Sequence, residues 1–315
     1  MRHITAAQIV PLTRGQSFTL KELADCYMAC YEGSDSQQGT RLAYFVQHLG
    51  ERIAHTIDAD DIHDVLDALQ RRGRVHNRGG CSRKAVIVET HKPLKPASIN
   101  RYRTTIQGVL TWARKRRLMP KGWTNPVNET ERLPEDNARM RFLSREEYAR
   151  LLLAAKLSYW KKLPLLIRLA VTTGARRGTL MGLRWCDVDL DNLRAYSERT
   201  KNGEPFTLTL QQEVAQDLHR IRGTAKDDEL IFGGRDPKKP MNFEKAFKNA
   251  MASAGIKGAV FHTLRHTHAS WLAMDGQPLL AIAESMGHKS LAMTKRYAHL
   301  TIDSRAQMLS KVFAA

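Results

Sequence analysis

Apolar residues recur at helical spacing through most of this chain. The pattern predicts helices over 19–31, 40–49 and 60–71, the last with Ile62, Val65, Leu66 and Leu69 along one side. A longer helix is predicted over 97–117, where Ile99, Tyr102, Ile106, Val109, Leu110 and Trp112 share a side and Arg101, Arg103, Arg114, Lys115, Arg116 and Arg117 make the other side basic. Pro120, Gly122, Pro126 and the polar run to Asn137 read as a linker. The chain therefore divides into an all-helical first unit with its linker, 1–135, and a second unit, 136–315.

In the second unit, Ser144-Arg-Glu-Glu147 is a capping box that opens a helix through Leu153, and 163–173 is a strongly apolar helix. Short alternating runs at 187–190, 193–198 and 205–210, with Asn202-Gly203 as a hairpin signal, predict three strands. Helical spacing returns at 211–222, 242–254 and from Phe261 onward. Met286-Gly287-His288 ends one further helix, and Ser290 is placed to cap the next, which carries Tyr297. The fold class is mainly α with a small antiparallel β-sheet. After Tyr297, Met308, Leu309, Val312 and Phe313 form an apolar stripe on a segment too short to be a stable helix alone, so it must dock on its own domain or on a neighbouring protomer.

A chain of 315 residues with 42% hydrophobic positions suits about two domains of ~150 residues, each with its own core. Charge narrows the function. Fifty Lys and Arg against thirty-two Asp and Glu give a formal +18, whose commonest partner is a polyanion: nucleic acid first, an anionic membrane second. Apolar runs are too short to span a bilayer and the N-terminus has no signal-peptide pattern, so a cytoplasmic, nucleoid-associated protein is expected. The basic stretch 71–84 has the composition of either a disordered insertion or a phosphate-contacting arm. Cys26, Cys30, Cys81 and Cys186 have neither zinc-site spacing nor the density of a disulfide scaffold, and read as free thiols.

The candidate chemistry lies in 261–297 and in an upstream half. His262 and Arg265 open a helix, where anions are favoured. Alone, such a pair is ordinarily a helix cap or a surface pair. His262 and His266 also have the i, i+4 spacing of a metal pair, but Thr263 stands where a metalloprotease motif needs Glu. Upstream, Thr173-Gly174-Ala175-Arg176 follows the apolar helix, and Lys201 sits beside the hairpin turn, a place where lysine is usually just solvated.

Taken in order, Thr-Gly-x-Arg, a hairpin Lys, His-x-Leu-Arg-His, Gly-His and a Tyr flanked by basic residues resemble the tyrosine recombinases of the phage integrase family, over both units. The resemblance implies a helical core-binding DNA-binding domain followed by the catalytic domain. It assigns Arg176 and Arg265 as catalytic arginines, Lys201 as the hairpin lysine, His262 and His288 as site histidines and Tyr297 as the nucleophile. Thr179 stands where many relatives have Glu, and Phe206 where a basic residue often follows the lysine. The implied partners are double-stranded DNA with paired recombination sites, a homo-tetramer on that DNA, and accessory DNA-bending or directionality proteins, with no membrane. The resemblance also favours docking of the C-terminal segment on a neighbour.

These residue types suit phosphoryl transfer. Arg clamps non-bridging oxygens through a planar, permanently charged fork. A tyrosine with a pKa of ~10 must lose its proton during attack, with His262 as a candidate base, while the departing sugar oxygen needs a proton, assigned by resemblance to Lys201. No metal, nucleotide or other cofactor is expected with this residue set, and the covalent bond retains the energy of the cut phosphodiester, so rejoining needs no ATP. Two rivals share parts of this pattern: a type IB topoisomerase that relaxes DNA as a monomer, and a DNA-binding regulator whose site residues are relics.

Overall fold

The computed structural model describes residues 16–77, 87–90, 92–135, 141–197 and 205–301. Lys201, the Asn202-Gly203 turn, Cys81, the second half of the basic stretch (78–84) and the C-terminal apolar stripe lie outside these residues. The chain divides into two compact units, Met1–Asn137 and Ala138–Ala315.

In the first unit, α1 (Leu20–Ala29), α2 (Gln38–Leu49) and α3 (Ala59–Arg72) pack with α4 (Pro96–Lys115). Thr19 and Asp58 start α1 and α3. Each side chain accepts a hydrogen bond from the backbone N–H three residues on, and Glu22 and Asp61 return the bond to the cap, which satisfies donors that a helix start leaves open. Leu20, Phe45, Ile62, Leu69, Ile106 and Leu110 are fully buried in a shared core, and each such side chain contributes about 1.5–3 kcal/mol of burial.

This unit departs from an all-helical reading. β1 (Val75–Asn77) and β2 (Ile87–Glu89) pair antiparallel, with Val75 opposite Glu89; the β-branched Val86-Ile87-Val88 run carries the strand propensity. The expected linker is also packed structure. A 3-10 helix, Pro126–Glu129, buries Val127 against α3 and α4, and the Asn125 amide donates to the Gln107 carbonyl and to Thr111. Arg103 belongs to this arrangement and not to a basic outer face: it is buried, and its guanidinium donates to the Thr130 hydroxyl and to the Val127 and Thr130 carbonyls at 2.7–2.8 Å. Arg101 and the run from Arg114 to Arg117 stay exposed.

The second unit has α5 (Arg145–Lys156), capped by Ser144 and Glu147, then α6 (Leu163–Thr173), α7 (Arg177–Gly182), the strands β3 (Val188–Asp189), β4 (Arg194–Ser197) and β5 (Phe206–Thr209), and α8 (Gln212–Arg222), α9 (Glu244–Ser253), α10 (Phe261–Met274) and α11 (Leu279–Met286). The strands form one antiparallel sheet in the order β3-β4-β5, with Ala195 opposite Val188 on one side and Leu208 on the other. α6 is buried on nearly every side, as its continuous apolar run requires, and lies against α5, α8 and α10. Tyr297 sits in a 3-10 helix, Lys295–Thr301, and not in a predicted α-helix; this segment packs on α10 beside the shorter 3-10 turn Leu291–Met293. Ser290 occupies the cap of that turn but makes no capping hydrogen bond through its side chain. Among the described residues no helix is long and apolar enough to cross a membrane.

Candidate active site

The site is built where α6 ends. Gly174 terminates that helix in the left-handed region at φ 62°, which glycine adopts at little cost. A second constraint acts there: a Cβ on Gly174 would lie 2.4 Å from Cδ2 of His268. The buried His268 ring fills that space, with Nδ1 2.9 Å from the Val171 carbonyl oxygen and Nε2 3.1 Å from the Ser285 hydroxyl, so it ties α6, α10 and α11 together.

The close packing of α6 and α10 lets Arg265 reach Gly174, whose carbonyl oxygen accepts from Nη1 at 2.5 Å. Arg265 is only 4% exposed, and its Nη2 is buried with no hydrogen-bond partner among the described residues. Burial and the neighbouring Arg176 lower the Arg265 pKa to about 10, which leaves it charged at neutral pH. A buried guanidinium with an idle donor is costly unless an anion completes it.

Arg176 occupies the N-terminal cap position of α7 and is partly exposed. Its charge acts on Arg265, His262 and His288. His262, in the first turn of α10, is exposed at its outer edge, and burial of the rest of the ring with the nearby arginines lowers its pKa. His288 follows Gly287, which ends α11 at φ 61°, and its Nδ1 lies 2.7 Å from the hydroxyl of the fully buried Thr294. Burial, with Arg265, Arg176 and Arg296, pulls the His288 pKa down to about 4.

Tyr297 is 1% exposed and packs against Ala269, Ala273, Ile282 and Met286. Burial raises its pKa, while Arg265 and Arg296 act to lower it. Its hydroxyl lies 2.8 Å from Nδ1 of His266. His262 is one turn away on the same helix, its ring edge-on to His266 with centroids 4.8 Å apart.

Five of the six sequence-predicted residues, Arg176, His262, Arg265, His288 and Tyr297, thus gather around one cationic centre. Lys201 falls outside the described residues. Three participants went unread in the sequence: the Gly174 carbonyl, Thr294 and His266. Only His266 left a signal, the spacing that also suits a metal pair. Among the described residues no three His, Cys, Asp or Glu side chains are grouped to hold a metal.

The phage integrase family profile matches residues 141–303, more than half of the chain. The chain belongs to the phage integrase family. It is a tyrosine recombinase, an enzyme that breaks and rejoins DNA in site-specific recombination. It is 24% identical to the integrase of Salmonella phage P22 over 298 residues, which cover 87% of this chain and 74% of that one. For several other phage integrases the match spans little more than half of their length. Among solved structures, the Tn1549 transposon integrase in complex with a circular intermediate DNA is similar with a TM-score of 0.68 at 18% identity, covering 93% of this chain and 99% of that one. A lambda integrase tetramer bound to a Holliday junction gives 0.66 at 20%, covering 92% and 80%. At these identities the structures speak for a shared fold, mostly helical with a small antiparallel sheet.

Proposed function

We propose that this recombinase integrates or excises a mobile element, such as a prophage or genomic island, by forming a transient 3′-phosphotyrosine through Tyr297. The observation that carries this reading is the idle Nη2 of buried Arg265 in the same site as the buried Tyr297 hydroxyl. Arg265 and Arg176 clamp the non-bridging oxygens of the scissile phosphate, where negative charge grows during attack. His288, neutral and oriented by Thr294, donates to the same phosphate, and His262 faces it from the start of α10. Lys201 protonates the departing 5′ oxygen by the family resemblance.

The partner is double-stranded DNA carrying paired sites, and the working assembly is a homo-tetramer that passes through a Holliday junction, a reading supported by the shared fold with the lambda tetramer. The first unit, 1–135, is the core-binding domain, with Arg101 and the exposed Arg114 to Arg117 facing the DNA backbone. Accessory DNA-bending or directionality proteins act with it, at the nucleoid in the cytoplasm. The C-terminal stripe docks on a neighbouring protomer, so that truncation at Ser304 spares single-site binding and removes cooperative occupancy of paired sites.

The test is a nicked duplex carrying the element's own ends. Wild type accumulates a covalent adduct that maps to Tyr297 and leaves a free 5′-hydroxyl, with or without EDTA, whereas Tyr297→Phe binds the DNA and forms none. An adduct on another residue would overturn the assignment; relaxation of a supercoiled plasmid with no exchange between paired sites would make the enzyme a topoisomerase instead.

A further inference from the structure

We propose that His266, and not His262, is the residue that accepts the Tyr297 proton during strand cleavage and returns it during rejoining. The inference rests on Tyr297 being the nucleophile. His266 Nδ1 lies 2.8 Å from the Tyr297 hydroxyl, and the contact is made within the apolar packing around that tyrosine, where water competes poorly for it.

The direction of this hydrogen bond follows from the acidities of the two groups. A neutral imidazole nitrogen is a better acceptor than a phenol oxygen, and a phenol is a better donor than a neutral imidazole N–H. Burial keeps Tyr297 protonated, and burial with His262, Arg296 and Arg265 lowers the His266 pKa to about 4, so the imidazole is neutral. The hydroxyl therefore donates to Nδ1, and Nε2 carries the ring proton. His262, exposed one turn earlier, meets the His266 ring edge and not the phenol.

A base with so low a pKa cannot hold the proton in the free enzyme, which fixes the timing of its transfer. The cations that depress it are Arg265 on its own helix and Arg296 on the segment that carries Tyr297, with the neutral His262 and His288 close by. A scissile phosphate brings negative charge to those arginines, and attack increases it. His266 becomes more basic as the transition state is approached. As the bond from the tyrosine oxygen to phosphorus forms, the proton moves to Nδ1; the bond from phosphorus to the 5′ oxygen breaks, and that oxygen takes a proton from the separate general acid. Rejoining reverses each movement: the 5′-hydroxyl attacks, the phosphotyrosine bond breaks, and the phenol recovers its proton from the His266 imidazolium.

Asparagine places an acceptor oxygen near the Nδ1 position but takes up no proton, so His266→Asn and His266→Ala separate holding from proton transfer. On the full-length protein, single-turnover cleavage of a nicked duplex is measured from pH 6 to 9, with melting temperature and DNA affinity recorded for each variant and the adduct mapped. Expected are an adduct on Tyr297 in every active variant, unchanged DNA affinity, and cleavage slowed by about 10²–10³ at pH 7 in both variants. That defect shrinks as pH rises and solvent hydroxide takes over, and it persists on a 5′-phosphorothiolate substrate whose leaving group needs no proton. A wild-type rate in His266→Ala, a full rate in His266→Asn, or a defect constant across the pH range overturns the proton-transfer role while leaving Tyr297 as nucleophile. An adduct mapped elsewhere in wild type overturns both.

Discussion

Arg265 gives one guanidinium nitrogen to the carbonyl oxygen of Gly174, 91 positions earlier in the chain, and keeps another buried without a hydrogen-bond partner among the described residues. The first contact fixes where the second donor sits. A flexible cation would have to be ordered when DNA arrives; this one is ordered by the fold beforehand, which is how preorganised charge lowers a barrier.

Replacing Arg265 with Ala is expected to slow single-turnover cleavage by about 10²–10³, the scale for losing one preorganised donor. Lys recovers little, because it cannot reach the carbonyl and the phosphate together through a planar fork. The melting temperature should fall little or rise, since the variant removes a buried charge that lacks a full set of partners. Cleavage within a few-fold of wild type for Arg265→Lys would contradict this account.

Gly174→Ala should be disabling although it removes no side chain from the site. The left-handed backbone alone costs about 1–3 kcal/mol for a non-glycine residue, and the new methyl group would meet the His268 ring at 2.4 Å. A urea unfolding series should show the loss in stability, and any folded protein should cleave slowly because the carbonyl that anchors Arg265 has moved. A loss no larger than the backbone term would mean that His268 is free to shift, and unchanged stability would contradict both terms.

The histidines make the catalytic unit acid-sensitive. His266 and His288 have folded pKa values of about 4, against ~6.5 for an unfolded histidine. As pH falls through 6.5 the unfolded chain takes up protons first, so their contribution favours folding fully above that pH and is lost progressively down to about 4. The melting temperature should fall between pH 7 and 4.5, and less steeply in His288→Asn than in wild type. Equal slopes would show that other groups set the acid limit.

In the first unit, two arginines on one helix should behave oppositely. Arg103→Ala removes the donor to the Thr130 carbonyl and one of the donors to the Val127 carbonyl, which keeps the Thr130 hydroxyl and N–H, and should cost about 1–3 kcal/mol in urea unfolding. Arg101→Ala, at an exposed position, should leave stability unchanged and weaken DNA binding with a reduced salt dependence. A loss of DNA affinity in Arg103→Ala without a loss of stability would return that residue to the DNA-facing side.

What the sequence determined by itself is what depends on neighbours a few residues apart. The Ser144–Glu147 box opens α5, the apolar run from Leu163 stops at Gly174, and the alternating segments become β3, β4 and β5, because hydrogen bonds and burial patterns of that kind are local. The motif order from Arg176 to Tyr297 was likewise legible in the chain, since residue type and spacing are properties of the sequence alone. Tertiary structure decided the rest. Arg103 and Arg101 carry the same charge on one helix, and only the buried turn at Pro126 tells which of them points inward. Spacing presented His262 and His266 as equals; the packing of the Tyr297 segment onto α10, across 31 positions, sets the hydroxyl against His266. That same packing holds the tyrosine in a 3-10 turn where periodicity alone predicts an α-helix. Such choices depend on which surfaces meet, and a local pattern carries no information about contacts made dozens of residues away.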